Sequence, residues 1–192
     1  MEGIVLVGGG GHCKAVIDVI RKEGKFEIIG IVDSHLPAGS LVLDVEVIGD
    51  DSNLLELSKK VQNFHITVGQ IQSNTIRKKL ATQLLDLNVK LPNIISPIAN
   101  ISYYSSIGKG ITVMHQATIQ AESQIGDFTI INDHALVEHE VQIGRFCHIS
   151  TGAIINGNVM IGDNVFIGSG AVIVQGVKIP NGSFIKANQL VK

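Results

Sequence analysis

The chain has 192 residues, 45% hydrophobic and 17% charged, with 15 Lys and Arg against 17 Asp and Glu and a formal net charge of −2. That balance describes one or two compact domains and excludes a disordered chain. With only 4% aromatic residues and no basic block, it also excludes a nucleic-acid partner. Met1 to Val7 has neither the length nor the charged front of a signal peptide. No apolar run approaches the ~18 residues of a membrane span, so no span and a cytoplasmic location are expected. Cys13 and Cys147 lie in different segments and read as packed thiols rather than a disulfide or a nucleophile.

In chain order, residues 4–7 read as an apolar strand, 8–11 as a glycine loop, and 12–23 as a helix carrying Val16, Ile17, Val19 and Ile20 at helical spacing. A second strand over 27–32 ends at Asp33. A helix over 51–59 and a third strand over 64–68 ending at Gly69 follow, then a helix over 73–85 opened by a Ser-Asn cap. Such alternation predicts a small parallel α/β sheet, a Rossmann-like domain over residues 1–94. Residues 88–97, with two prolines, form the junction to the rest.

Gly8 to Gly11 supplies the first two glycines of G-x-G-x-x-G, but Cys13 replaces the third, so no full dinucleotide fingerprint is present. Backbone N–H groups at a helix start remain, open to a phosphate. Asp33 stands where a carboxylate binds ribose or a base. The alternative is a plain βα turn followed by a solvated Asp.

From Ile101 to Ile185 an aliphatic residue falls at every sixth position, and a small or β-branched residue recurs two places before it, as at Ala117, Ala135, Cys147, Ala153 and Ala171. This is a hexapeptide repeat, the signature of a parallel β-helix over residues 95–192. Gly108, Gly126, Gly144 and Gly162 recur every eighteen residues, so three hexads make one coil. At ~4.8 Å per coil, about five coils give a column roughly 24 Å long.

Residues 131–140 hold two histidines and three acids in a single coil. His139 follows the inward Val137 by two residues and so faces outward at a corner, whereas His115 and His134 read as surface decoration. The columns bring no three metal ligands together, and no zinc motif is present. Gly157 lies one coil beyond His139, so its bare backbone should sit about 5 Å above the histidine. A base and a backbone N–H would then line one cleft, as acyl transfer to an amine requires. Glu140, or less directly Glu138, would hold the imidazole tautomer.

The Gly-Gly-Gly-Gly-His run, Asp33, Gly69 followed by Thr75-Ile76-Arg77-Lys78-Lys79, Asn132, and Val137-Glu138-His139-Glu140 before Ile143-Gly144 resemble the sialic acid O-acetyltransferase family. That family includes nucleotide-sugar N-acetyltransferases of the bacillosamine and perosamine pathways. The resemblance covers nearly the whole chain and implies that the β-helix is left-handed. It also implies that His139 deprotonates the sugar amine with Glu140 raising its basicity, that Asn132 positions the sugar, and that Gly157 serves the oxyanion. Acetyl-coenzyme A would meet His148, Gly168 and Ser169, and Gly10, Gly11, His12, Asp33 and Gly69 would hold the nucleotide. Members are trimers with active sites between adjacent β-helices, which suits a convex prism without a deep pocket of its own.

Three departures accompany the match. Cys13 stands where glycine is usual, which tightens the room around a diphosphate. His134 has no counterpart in the motif. The sequence reaches Lys192 without the Gly-Val-Pro-Ala-like segment that completes the coenzyme groove, so coenzyme contacts are not expected from that end. The reading is a homotrimeric, metal-free, acetyl-coenzyme A-dependent N-acetyltransferase of a nucleotide-linked amino deoxy sugar, serving cell-surface polysaccharide biosynthesis. A sugar O-acetyltransferase of the sialic acid type and a non-catalytic nucleotide-sugar-binding scaffold are the alternatives.

Overall fold

The computed structural model describes residues 1–71 and 73–192. They divide into two compact units, Met1–Gly69 with Thr75–Ile94, and Gln70–Asn74 with Ile95–Lys192.

The first unit runs β1 (Glu2–Val7), α1 (Gly11–Glu23), β2 (Phe26–Val32), β3 (Leu41–Val42), β4 (Val45–Gly49), α2 (Leu54–Ser58), β5 (Asn63–Ile66) and α3 (Thr75–Asp86). Its sheet has the order β3-β4-β2-β1-β5 and is parallel except where β3 meets β4. β1 lies inside the sheet between β2 and β5, and Ile4, Val5 and Leu6 are fully buried accordingly. α1 buries Cys13, Val16, Ile17, Val19 and Ile20, each side chain contributing roughly 1.5–3 kcal/mol where it is a fully buried aliphatic. It ends at Gly24, whose φ of 70° lets its N–H reach the Ile20 carbonyl.

Two features differ from the sequence expectation. Residues 51–59 do not form one helix: Asp50 caps a 3-10 turn, Asp51–Asn53, through a capping box with Asn53, and only then does α2 begin. The β3-β4 hairpin was not predicted. Its two-residue turn is Leu43-Asp44, with Leu43 at a φ of 58°, a conformation that a leucine does not advertise in sequence.

In the second unit, two-residue strands from Ile94–Ile95 to Leu190–Val191 form three parallel sheets of six, five and six strands. Each residue pairs with the one eighteen further on, as in Thr118↔Leu136, Leu136↔Ile154 and Ile154↔Val172. The three sheets are the faces of a left-handed β-helix. The second residue of each strand points inward, and the column from Val113 to Ile179, with Ala117, Ala135, Cys147, Ala153 and Ala171 filling the spaces between, is one continuous core. The corners are equally periodic. Every sixth residue from Gly110 to Asn188 adopts a φ between 54° and 75°, whether it is glycine, asparagine or, as at Glu122, His134 and Glu140, a longer side chain. Left-handed backbone costs a non-glycine residue roughly 1–2 kcal/mol, which coil stacking has to offset at each such corner.

Corner N–H groups are capped from the neighbouring coil. Lys109 donates to Asp127, His115 to Asp133, Arg145 to Asp163 and Asp163 to Asn181, through backbone N–H to side-chain oxygen in each case. These bonds repeat the coil spacing of eighteen and fix the register of two edges, the His115–Asp133 bond lying one corner on from the other three.

Candidate active site

His139 follows the inward Val137 and precedes the left-handed Glu140, so the chain turns outward at this corner. The turn brings two adjacent side chains together: His139 Nδ1 lies 2.9 Å from Glu140 Oε2. A carboxylate only accepts, so Nδ1 carries the proton and Nε2 presents its lone pair. Both side chains are about half exposed, 55% and 56%. An exposed pair of this kind is worth only about 0.2–1 kcal/mol, so its consequence is the orientation of the ring rather than stability. Glu138 takes no part in the pair; its backbone carbonyl accepts from Ser123 Oγ.

The imidazole lies against the next coil. A Cβ placed on Gly157 would fall 2.6 Å from His139 Cε1 and 2.7 Å from Nε2, closer than real side chains approach. The Asn158 N–H donates to the His139 carbonyl, which locks the two coils together at this point. One coil above Gly157 stands Gln175, and among the described residues no side-chain oxygen caps the Gly157 N–H. The corner thus sets an oriented imidazole against the bare Gly157 backbone.

Asn132 Oδ1 accepts from the Asp133 N–H, and its Nδ2 lies 3.4 Å from His148 Nε2. His148 is 7% exposed, meets Phe166 edge-to-face, and turns Nδ1 to the Gln70 carbonyl. Gly168 admits the following coil closely, because a Cβ there would lie 2.5 Å from the Ala187 nitrogen. Ser169 Oγ pairs with Ser150 Oγ at 2.9 Å. His115 meets Ser96 Oγ through Nδ1, while His134 is exposed at its corner. No group of three or more His, Cys, Asp or Glu side chains with metal-binding geometry occurs among the described residues.

In the first unit the glycines divide by function. Gly8, at a φ of 110°, touches Val68, and Gly9 is enclosed by Leu36 and Val42; a Cβ on either would collide. Gly10 and Gly11 face open space at the start of α1. The loop is held by Asp33, whose Oδ2 accepts from the Gly9 N–H at 2.6 Å and whose Oδ1 accepts from His35 and Leu36 at 2.7 and 3.0 Å. Partial burial pushes this carboxyl upward, but the three N–H donors outweigh burial and hold it below the ordinary carboxylate value. Asp33 therefore braces the loop, an internal role that the sequence pattern did not disclose. A Cβ on Gly69 would meet His12 Cβ at 3.5 Å, an ordinary contact, so this glycine is not enclosed.

The Cys13 side chain is fully buried on the core side of α1, so it does not narrow the space at Gly10 and Gly11, as its place in the motif had suggested. Burial pushes the Cys13 and Cys147 thiols up to about 11, and neither forms a disulfide. Neither thiol is a nucleophile at neutral pH.

A β-helix bearing an outward histidine–carboxylate pair under a bare glycine defines an acyltransferase of the hexapeptide class, and known proteins agree. Residues 3–84 match the PglD N-terminal domain, and residues 140–175 match the bacterial transferase hexapeptide repeats. The chain is 34% identical to perosamine N-acetyltransferase from Caulobacter crescentus, solved as a histidine-to-asparagine variant with CoA and GDP-perosamine. That match has a TM-score of 0.93 and covers 100% of this chain and 89% of that one. It is 32% identical to the acetyltransferase domain of PglB from Neisseria gonorrhoeae FA1090 in complex with acetyl coenzyme A, with a TM-score of 0.90, covering 99% and 92%. The uncharacterized protein L142 of Acanthamoeba polyphaga mimivirus is 36% identical over 121 residues, 63% of this chain, which spans only 23% of that protein. The chain belongs to the bacterial hexapeptide-repeat transferases, in the group whose N-terminal domain is of the PglD type.

Proposed function

We propose that this protein transfers acetyl from acetyl-coenzyme A to the amino group of a nucleotide-linked amino deoxy sugar by direct attack. The observation that carries the reading is the packing of His139 between the Glu140 carboxylate and the bare Gly157 backbone. In that arrangement the sugar amine donates to His139 Nε2, and its proton passes there as the N–C bond to the acetyl carbon forms. The carbonyl oxygen, now an oxyanion, takes the Gly157 N–H. Collapse breaks the C–S bond, and the imidazolium, stabilised by Glu140, returns its proton to the departing thiolate. A positioned base of this kind contributes ~10²–10⁴-fold, and one oxyanion donor ~10²–10³-fold.

The open Gly10 and Gly11 backbone, with His12, Asp33 and Gly69 around it, takes the nucleotide. Asn132 positions the sugar, and His148, Gly168 and Ser169 line the coenzyme side. The complexes of the perosamine and PglB relatives support this assignment of ligands.

The working form is a homotrimer in the cytoplasm, and its product feeds cell-surface polysaccharide. One outward column of the prism is apolar from Leu136 through Ile154 and Val172 to Leu190, whereas another reads Ser106, Gln124, Gln142, Met160 and Lys178. The first column supports packing against further copies of this chain.

Thiol release from acetyl-coenzyme A, measured against UDP-, GDP- and dTDP-linked 3-amino and 4-amino deoxy sugars, tests the reading. Release with one nucleotide amino sugar is expected. Release only with free sialic acid, the acceptor of the sialic acid O-acetyltransferases, would replace the amine by a hydroxyl. Silence across the panel would favour a non-catalytic nucleotide-sugar scaffold.

A further inference from the structure

A guanidinium lies buried on the sheet side of α3. Arg77 is 1% exposed, and its Nη1 donates to two carbonyls at the C-terminal end of β5, Ile66 at 3.3 Å and Val68 at 2.5 Å. Burial lowers its pKa to about 10, which leaves it charged at neutral pH. Taking such a charge out of water is costly, and a well-packed apolar residue of similar size is often as stabilising.

The carbonyls it holds belong to the segment that shapes the glycine loop. Val68 is the residue against which Gly8 packs, at a distance that admits no Cβ on Gly8. Thr67, between the two bonded carbonyls, donates its hydroxyl to the Gly8 carbonyl and its N–H to the Val7 carbonyl. Gly69, the next residue, faces His12 Cβ at the start of α1 with room for a methyl group between them. One guanidinium nitrogen bonded to two carbonyls at once holds residues 66–68, and they in turn hold Gly8, just ahead of the open Gly10 and Gly11.

We infer that Arg77 is a positioning residue for nucleotide binding, acting through Thr67 and Val68 on the glycine loop. The inference rests on the assignment of that loop to the nucleotide. Arg77→Lys keeps the charge but not the guanidinium nitrogen that meets both carbonyls, Arg77→Met loses charge and donors alike, and Val68→Ala leaves Arg77 in place but loosens the contact with Gly8.

The experiment is isothermal titration of the full chain with UDP, GDP and dTDP, together with KM for acetyl-coenzyme A and for the nucleotide sugar. Expected is a tenfold or greater rise in nucleotide Kd and nucleotide-sugar KM for Arg77→Lys, a smaller rise for Val68→Ala, and a KM for acetyl-coenzyme A within twofold of wild type. If Arg77→Met does not fold, the other two variants decide. Folded variants that bind nucleotide like wild type would overturn the inference while leaving the nucleotide reading intact. A wild-type chain that binds none of the three nucleotides would overturn both. Equal rises in both KM values would reduce Arg77 to general support of the fold and overturn the inference.

Discussion

The imidazole of His139 occupies the space that a side chain at position 157 would fill, with its Nε2 2.7 Å from the point where a Cβ would stand. Gly157→Ala therefore displaces the ring. A loss in kcat of about 10²-fold, the scale of removing a general base, is expected without loss of the fold. Steady-state kinetics beside a melting curve checks it; an alanine variant with wild-type kcat would separate the base from this contact.

Glu140 offers a test in which stability and activity part company. Glu140→Gly relieves a left-handed corner worth roughly 1–2 kcal/mol and gives back about 0.5–1 kcal/mol through the flexibility of glycine. Stability should thus stay within about 1 kcal/mol of wild type, while kcat falls at least ~10-fold as the imidazole loses its orienting carboxylate. Denaturant titration with parallel kinetics reads both quantities.

His139→Asn removes the base and keeps the corner. Turnover should drop by ~10²-fold or more, with nucleotide affinity unchanged, because the glycine loop belongs to the other compact unit. A large change in nucleotide Kd would contradict that division of labour.

Asp33 links pH to the glycine loop. Its folded-state carboxyl lies below the ordinary value, so the stability it contributes is present above the unfolded pKa and is lost as pH falls through the folded one. The window lies below about pH 4. Asp33→Asn should lower stability at neutral pH, where the charge-assisted bonds to Gly9, His35 and Leu36 are lost, and flatten the acid limb of the stability curve. Melting temperature against pH for both proteins decides it.

Both cysteines are buried and shifted toward higher pKa. The native protein should show no thiol reactive toward a disulfide reagent at pH 8 within minutes, and both should appear in denaturant. A rapidly reacting thiol in the folded state would place one cysteine at the surface.

The contact of His139 with Gly157 was legible because a parallel coil in register turns sequence separation into spatial adjacency: eighteen residues are one coil, whatever lies between. The same arithmetic located the inward column and the outward direction of His139. It says nothing about isolated local choices. The turn at Leu43-Asp44 carries none of the glycine or asparagine that marks a hairpin. Asn74 had the look of a helix cap, yet its side chain donates to Asn164 Oδ1 and lies 3.5 Å from the Phe146 carbonyl, contacts across ninety and seventy-two residues that no local pattern encodes. Asp33 was visible as a carboxylate after a strand, but its three backbone donors depend on a loop path that composition does not dictate. Arg77 stood within the recognised run, though nothing in its spacing announced burial.

The β-helix carries two reading frames. Its interior repeats every six residues, so inserting or deleting a single hexad past Ile161 would still seat an aliphatic residue in each inward place. The capping ladder through Asp127, Asp163 and Asn181 repeats every eighteen, and a hexad change between Asp163 and Asn181 would put the Asn181 cap on the wrong edge. Between His139 and Gly157 even a whole-coil change fails, since it delivers some other residue above the imidazole. Length variation in this chain is therefore quantised: hexads conserve the core, complete coils conserve the edges, and one coil admits no indel at all.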